Sequence, residues 1–146
     1  MNGKNQNQES WLLCRAGSHL CALPLAQILE VMRPLPIEPL ADAPAFLRGI
    51  AVIRGVPVAV LDLGHLLGQT RVKPSRFVTA RTGGRTLGLA VTEVVGVRRQ
   101  DEIGAHTAVP LLREAAGDAV STIGSLDSEA LLFLGNLQLL AEGVPV

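Results

Sequence analysis

The chain has 146 residues, of which 48% are apolar, and its 13 basic side chains are balanced by 13 acidic ones. That length suits one domain, or two very small ones sharing a core, and the neutral balance offers no electrostatic footprint for nucleic acid or an anionic membrane. Gly, Pro or charge interrupts every apolar run well before the roughly 18 residues a spanning helix needs. Residues 1–10 are polar and lack a signal-peptide core, so they read as a disordered lead-in to a cytoplasmic domain over 11–146.

Trp11–Ala16 and Leu20–Leu25 predict a first hairpin around Gly17-Ser18, residues able to supply the positive φ of a tight turn. A two-residue loop there sets Cys14 directly opposite Cys21. A cross-strand disulfide is geometrically open to them, but two reduced apolar fillers are the favoured reading in a cytoplasmic protein. After Pro24, apolar residues at 25, 28, 29 and 31 suit one helical turn bending into an extended segment, and Pro34, Pro36 and Pro39 exclude helix up to Leu40. Pro44–Leu47 reads as a short helical turn capped by Asp42.

The stretch from Pro44 to Gly68 organises the rest. Gly49–Ile53 and Val56–Leu61 are rich in branched residues that suit a pleated, half-buried surface, and Arg54-Gly55 joins them as a hairpin. Asp62 then leads into a short helix through Leu63, Leu66 and Leu67 that Gly68 can stop. Gln69–Ser75 reads as a surface loop. Arg76–Ala80 and Arg85–Ala90 form another hairpin around Thr82-Gly83-Gly84, and Val91–Val97 continues as a strand bent near Thr92-Glu93 and Gly96.

Arg98–Ala116 reads as irregular and charged. Val120–Leu126 and Ala130–Leu134 make a last hairpin across Asp127-Ser128-Glu129, before one helical turn at Asn136–Ala141. LDLGHL at 61–66 faintly echoes LFLGNL at 132–137, a hint of two similar halves. Nine or ten short strands and no long helix point to an all-β protein built from small closed or nearly closed barrels.

Catalytic and metal chemistry find little support. His19, His65 and His106 stand far apart with no ligand-spaced neighbour, and the adjacent carboxylates of Asp101-Glu102 diverge in an extended chain. Gly83-Gly84 opens no helix and no Lys-Ser/Thr follows it, while three Phe, one Trp and no Tyr supply few base-stacking platforms. The expectation is a protein with no enzymatic activity, no metal and no cofactor. Arg54, a charge at the tightest turn of a greasy hairpin, is either a solvated turn residue or the anchor of a contact surface. Glu30, beside the apolar Ile28 and Val31, is either an ordinary surface residue or its partner. Pairing would satisfy both charges and fix the guanidinium fork.

Taken in order, Ala22–Leu25 (ALPL), Ile28–Val31 (ILEV), Pro44–Gly49 (PAFLRG), Ile53–Gly55 (IRG), Val60–Leu63 (VLDL), Gly88–Val94 (GLAVTEV) and the terminal Leu-Leu resemble the CheW-like family of chemotaxis adaptors. The resemblance covers nearly the whole chain from Trp11. It implies two intertwined five-stranded barrels of the Src-homology-3 type with a few short helices. It also implies a non-enzymatic scaffold coupling the cytoplasmic tip of a methyl-accepting chemoreceptor to the regulatory domain of a CheA-type histidine kinase, with no direct membrane contact. By the same resemblance Arg54, Glu30 and Ile28 lie at or beneath the receptor-facing groove, and Gly55 and Gly49 are structural turn positions. The chain departs from the family's usual pattern at Val52, Ala59 and Thr92, where Asn, Pro and Asp are usual. The alternative reading is a small ligand-binding β-barrel in which Arg54 holds a carboxylate.

Overall fold

The computed structural model describes residues 9–68, 70–71, 73–104 and 120–144. The described residues form ten strands: β1 (Ser10–Ala16), β2 (His19–Pro24), β3 (Ile28–Met32), β4 (Leu47–Ile53), β5 (Val56–Asp62), β6 (Arg76–Thr82), β7 (Arg85–Val91), β8 (Glu93–Arg99), β9 (Thr122–Leu126) and β10 (Glu129–Phe133). Two short helices, α1 (Leu63–Leu66) and α2 (Leu137–Glu142), and two 3-10 turns, Leu25–Gln27 and Gln100–Glu102, complete the described elements. Among the described residues no helix is long and apolar enough to cross a membrane.

The strands make two five-stranded sheets, ordered β8-β1-β2-β10-β9 and β3-β6-β7-β5-β4. We call them the terminal and the central barrel. The two exchange strands: β3 follows β2 along the chain but pairs with β6, and β8 follows β7 but pairs with β1. In each barrel the middle contains one parallel pair, β5 with β7 and β10 with β2.

Three apolar layers result from side chains alternating across each sheet. Trp11, Leu13, Leu20, Ala22, Leu131 and Phe133 fill the terminal barrel, where Trp11 and Phe133 meet edge-to-face with centroids 4.8 Å apart. Ala51, Ile53, Val58, Val60, Phe77 and Ala90 fill the central one. The opposite faces of both sheets meet in a larger seam that includes Leu61, Leu89, Leu134 and both cysteines. Cys14 does stand directly across from Cys21, and both are buried free thiols.

Several boundaries differ from the sequence reading. Leu47 begins β4, and Pro44–Phe46 form only a turn closed by Leu47 N–H donating to Pro44 O at 3.0 Å. Ser10, assigned to the lead-in, is already in β1; residues 1–8 lie outside the described set. The strand expected over Val91–Val97 breaks at Thr92, whose hydroxyl accepts from Gly17 N–H at 2.9 Å. Arg98 and Arg99 belong to β8 rather than to an irregular stretch, of which residues 105–116 lie outside the described set. Glu129 opens β10, so the last turn is Asp127-Ser128 alone, both at positive φ. The repeated motif falls in equivalent elements but two residues out of step. Val60, opposite Gly88, is matched by Phe133, opposite Ala22, where the echo would match it with Leu131.

Candidate functional site

Arg54 and Gly55 form the two-residue loop between β4 and β5, with φ of 52° and 77°. Positive φ at both positions is the hairpin conformation whose twist matches the strands, and Gly55 adopts it freely. Arg54 is an uncommon occupant of that region. Its side chain leaves the loop and reaches Glu30 on β3.

β3 and β4 are the two edges of the central sheet, so an ion pair between β3 and the β4–β5 loop exists only because the sheet curls round on itself. Arg54 Nε donates to Glu30 Oε2 at 2.8 Å and Nη2 to Oε1 at 2.7 Å, a two-pronged pairing. The Arg54 side chain remains 76% exposed against 27% for Glu30, so the guanidinium is held still while still facing solvent. The hydrogen bond from Arg54 holds the Glu30 carboxyl below the usual carboxylate range, and the same bond raises the guanidinium.

Closure has a second fastening. Glu38, in the proline-rich connector after β3, exchanges backbone hydrogen bonds with Ile50 on β4 at 2.8 and 2.9 Å. Gly49 makes room for that approach: a Cβ there would overlap the Glu38 carbonyl, and its φ is 142°. Gly49 is therefore not a turn residue as expected but a strand residue at an irregularity in β4, kept small by a backbone crossing over it.

Ile28 is not brought to the ion pair. The β3–β6 ladder carries a bulge at Leu29, so Ile28 lies opposite Ala80 while Glu30 lies opposite Thr79. Adjacent residues of β6 face opposite sides of the sheet, which sends Ile28 half-buried against the seam between the barrels and Glu30 to the other face. Glu30 itself sits within β3, not in a bend. Exposed apolar residues stand near both charges in sequence, Leu29 and Val31 beside Glu30 and Val52 and Val56 two residues either side of Arg54, with Val52 65% exposed; Val31, opposite Val78, faces the same side of β3 as Ile28.

Arg48 and Asp62 were legible only as parts of family motifs. Asp62 is fully buried at the end of β5, pairs with Arg48 Nη1 at 3.1 Å and caps α1 by accepting from His65 N–H at 2.8 Å. This buried acid fastens β4, β5 and α1 together, and the only local hint of it was an acid ending an apolar strand. Among the described residues no group of three His, Cys, Asp or Glu side chains is placed to hold a metal ion.

Against known proteins, the family model for the CheW-like domain matches residues 10–143. Protein FrzA of Myxococcus xanthus is 32% identical over 95 residues, a stretch covering 63% of this chain and 59% of that protein. The match thus spans somewhat less than two thirds of that relative's length. The crystal structure of the scaffolding protein TtCheW from Thermoanaerobacter tengcongensis has the same fold. Its TM-score is 0.73 at 22% identity, over 89% of this chain and 92% of that one.

Proposed function

The chain belongs to the CheW-like family, and on that premise we propose that it is a non-catalytic adaptor of a chemosensory pathway in the cytoplasm. It joins the cytoplasmic tip of a methyl-accepting receptor to a CheA-type histidine kinase through separate surfaces. The observation that carries the receptor contact is the Arg54–Glu30 pair: a guanidinium fixed at 2.7 and 2.8 Å yet largely exposed, on elements that also expose Leu29, Val52 and Val56. An immobilised, exposed charge loses little side-chain freedom when a partner closes over it, which favours docking of a preformed helical tip. A small domain offers only about 800 Å² to each partner, so assembly relies on many modest contacts acting together.

A carboxylate-binding barrel would need an enclosed cavity beside Arg54, but Glu30 takes the Nε/Nη2 edge of the guanidinium, the rest of that side chain faces solvent, and the central barrel is filled by Phe77, Val60 and their neighbours. The adaptor reading is therefore the better supported. It is tested by capture on immobilised receptor tip and, separately, on the kinase regulatory domain. Arg54→Ala is expected to lose receptor capture and keep kinase capture and a native melting curve. Equal loss of both partners would overturn the assignment.

A further inference from the structure

Glu30 is held from two sides, by Arg54 at its carboxylate and by Thr79 at its backbone. Thr79 is one of three buried polar or charged residues among those described, 1% exposed, and its Oγ1 donates to the Glu30 carbonyl at 3.3 Å. A buried hydroxyl is costly unless bonded, and Val would fill the same space without that cost.

The terminal barrel shows that the hydroxyl is not required to make the bulge. There β8 bulges at the equivalent place: Val94 lies opposite Cys14 and Gly96 opposite Leu13, with Val95 as the extra residue. Leu13 therefore stands where Thr79 stands, and Gly96, at φ 152°, stands where Glu30 stands. That bulge forms with glycine and a leucine. In the central barrel the same bulge carries a side chain that must reach the β4–β5 loop, and there an acceptor on its backbone is tied down. Holding the carbonyl narrows the Cα–Cβ direction, and so the region the carboxylate can reach.

We infer that Thr79 is a positioning residue for the Arg54–Glu30 pair, holding the bulged backbone of β3 so that the Glu30 carboxylate meets the guanidinium fork. Its consequence for receptor docking rests on the function proposed above; its effect on Glu30 does not.

The test follows the Glu30 side chain by NMR titration in the full chain, alongside receptor-tip affinity and the melting curve. Thr79→Val is expected to stay folded, to move the Glu30 titration up toward the ordinary carboxylate range, and to weaken receptor-tip binding about threefold to tenfold, the scale of one hydrogen bond. Thr79→Ser, which keeps the hydroxyl, is expected to restore both. An unchanged Glu30 titration in a folded Thr79→Val protein overturns the inference, as does a Thr79→Ser protein that behaves like Thr79→Val. If Thr79→Val does not fold, Thr79→Ala is read by the same two outcomes. If instead Arg54→Ala leaves receptor binding intact, the docking assignment fails while the Glu30 titration still decides the role of Thr79.

Discussion

The two barrels have one plan and two finishes. Ile28, Leu29, Glu30 and Val31 of β3 correspond by ladder position to Val94, Val95, Gly96 and Val97 of β8, and Phe77 of β6 to Trp11 of β1. Where the plan is apolar it is kept: Ile28 and Val94 both pack on the seam, and Leu29, Val31, Val95 and Val97 are all exposed. The polar positions divide: Arg81 is kept as Arg15, whereas Glu30 becomes Gly96, Thr79 becomes Leu13, and the Arg54-Gly55 loop becomes Asp127-Ser128.

The ion pairs differ in the same way. In the terminal barrel Arg15 grips Glu129 at 2.7 and 2.9 Å, but β1 and β10 are separated only by β2, so the pair braces a continuous sheet. In the central barrel the pair joins the two sheet edges. Inward-facing apolar side chains are what both sheets need in order to fold; under the function proposed above, the polar substitutions mark the barrel end that docks a partner.

The largest expected effect tests closure. Gly49→Ala forces a side chain into the Glu38 carbonyl at positive φ and should destabilise by about 3 kcal/mol or more. Gly104→Ala in the terminal barrel meets the Ser125 side chain, which can rotate, and should lower the denaturant midpoint less. Equal losses would mean that the two closures are equivalent.

Next come the barrel interiors. Phe77→Ala and Trp11→Ala should each cost about 3–5 kcal/mol by thermal melting. The Trp11 variant also loses the hydrogen bond in which Gln100 accepts the indole N–H at 2.7 Å. If one of them proves neutral, its barrel is not a packed core.

Arg15→Ala separates a brace from a docking contact. It should leave receptor capture unchanged, whereas Arg54→Ala abolishes it with little change in stability, Arg54 being largely exposed and Arg15 half-buried. The smallest effect is on acid sensitivity. Arg54 and Arg15 hold the Glu30 and Glu129 carboxyls below their ordinary value of 4.5, so each pair's stabilisation is complete above that pH and fades as pH falls through the lowered value. Removing either arginine should therefore flatten the loss of stability between about pH 5 and pH 3, measured by denaturant midpoint. A steeper loss would reverse the sign.

Much of the fold was legible because it is local. Gly17-Ser18, Arg54-Gly55 and Gly83-Gly84 announced their hairpins, branched residues filled the strands, and the Cys14–Cys21 register followed from loop length alone. Those thiols lie in the seam, and burial pushes Cys14 up to about 12, so native protein should resist thiol-directed reagents until it unfolds. The site was half legible. Arg54 stood out as a charge at the tightest turn of an apolar hairpin, and Glu30 as a charge beside Ile28 and Val31. The resemblance grouped Ile28 with Arg54 and Glu30; the bulge at Leu29 puts residues 28 and 30 on opposite faces of β3, which no local pattern announced. Nothing in the run 47–53 told a turn glycine from one lying under a crossing backbone, so Gly49 was misassigned too.

Sequence alone determined which segments are strands, where the chain turns, and that two charges stood in apolar company, because alternation and turn chemistry act over a few residues. Tertiary structure decided which sheet each strand joins. It sent β3 and β8 into the other barrel's ladder, carried Glu38 over Gly49, and brought Arg54 to a carboxylate on the far edge of its sheet. These outcomes depend on how a twisted sheet closes and on which surfaces remain to be buried, and both are properties of the whole chain.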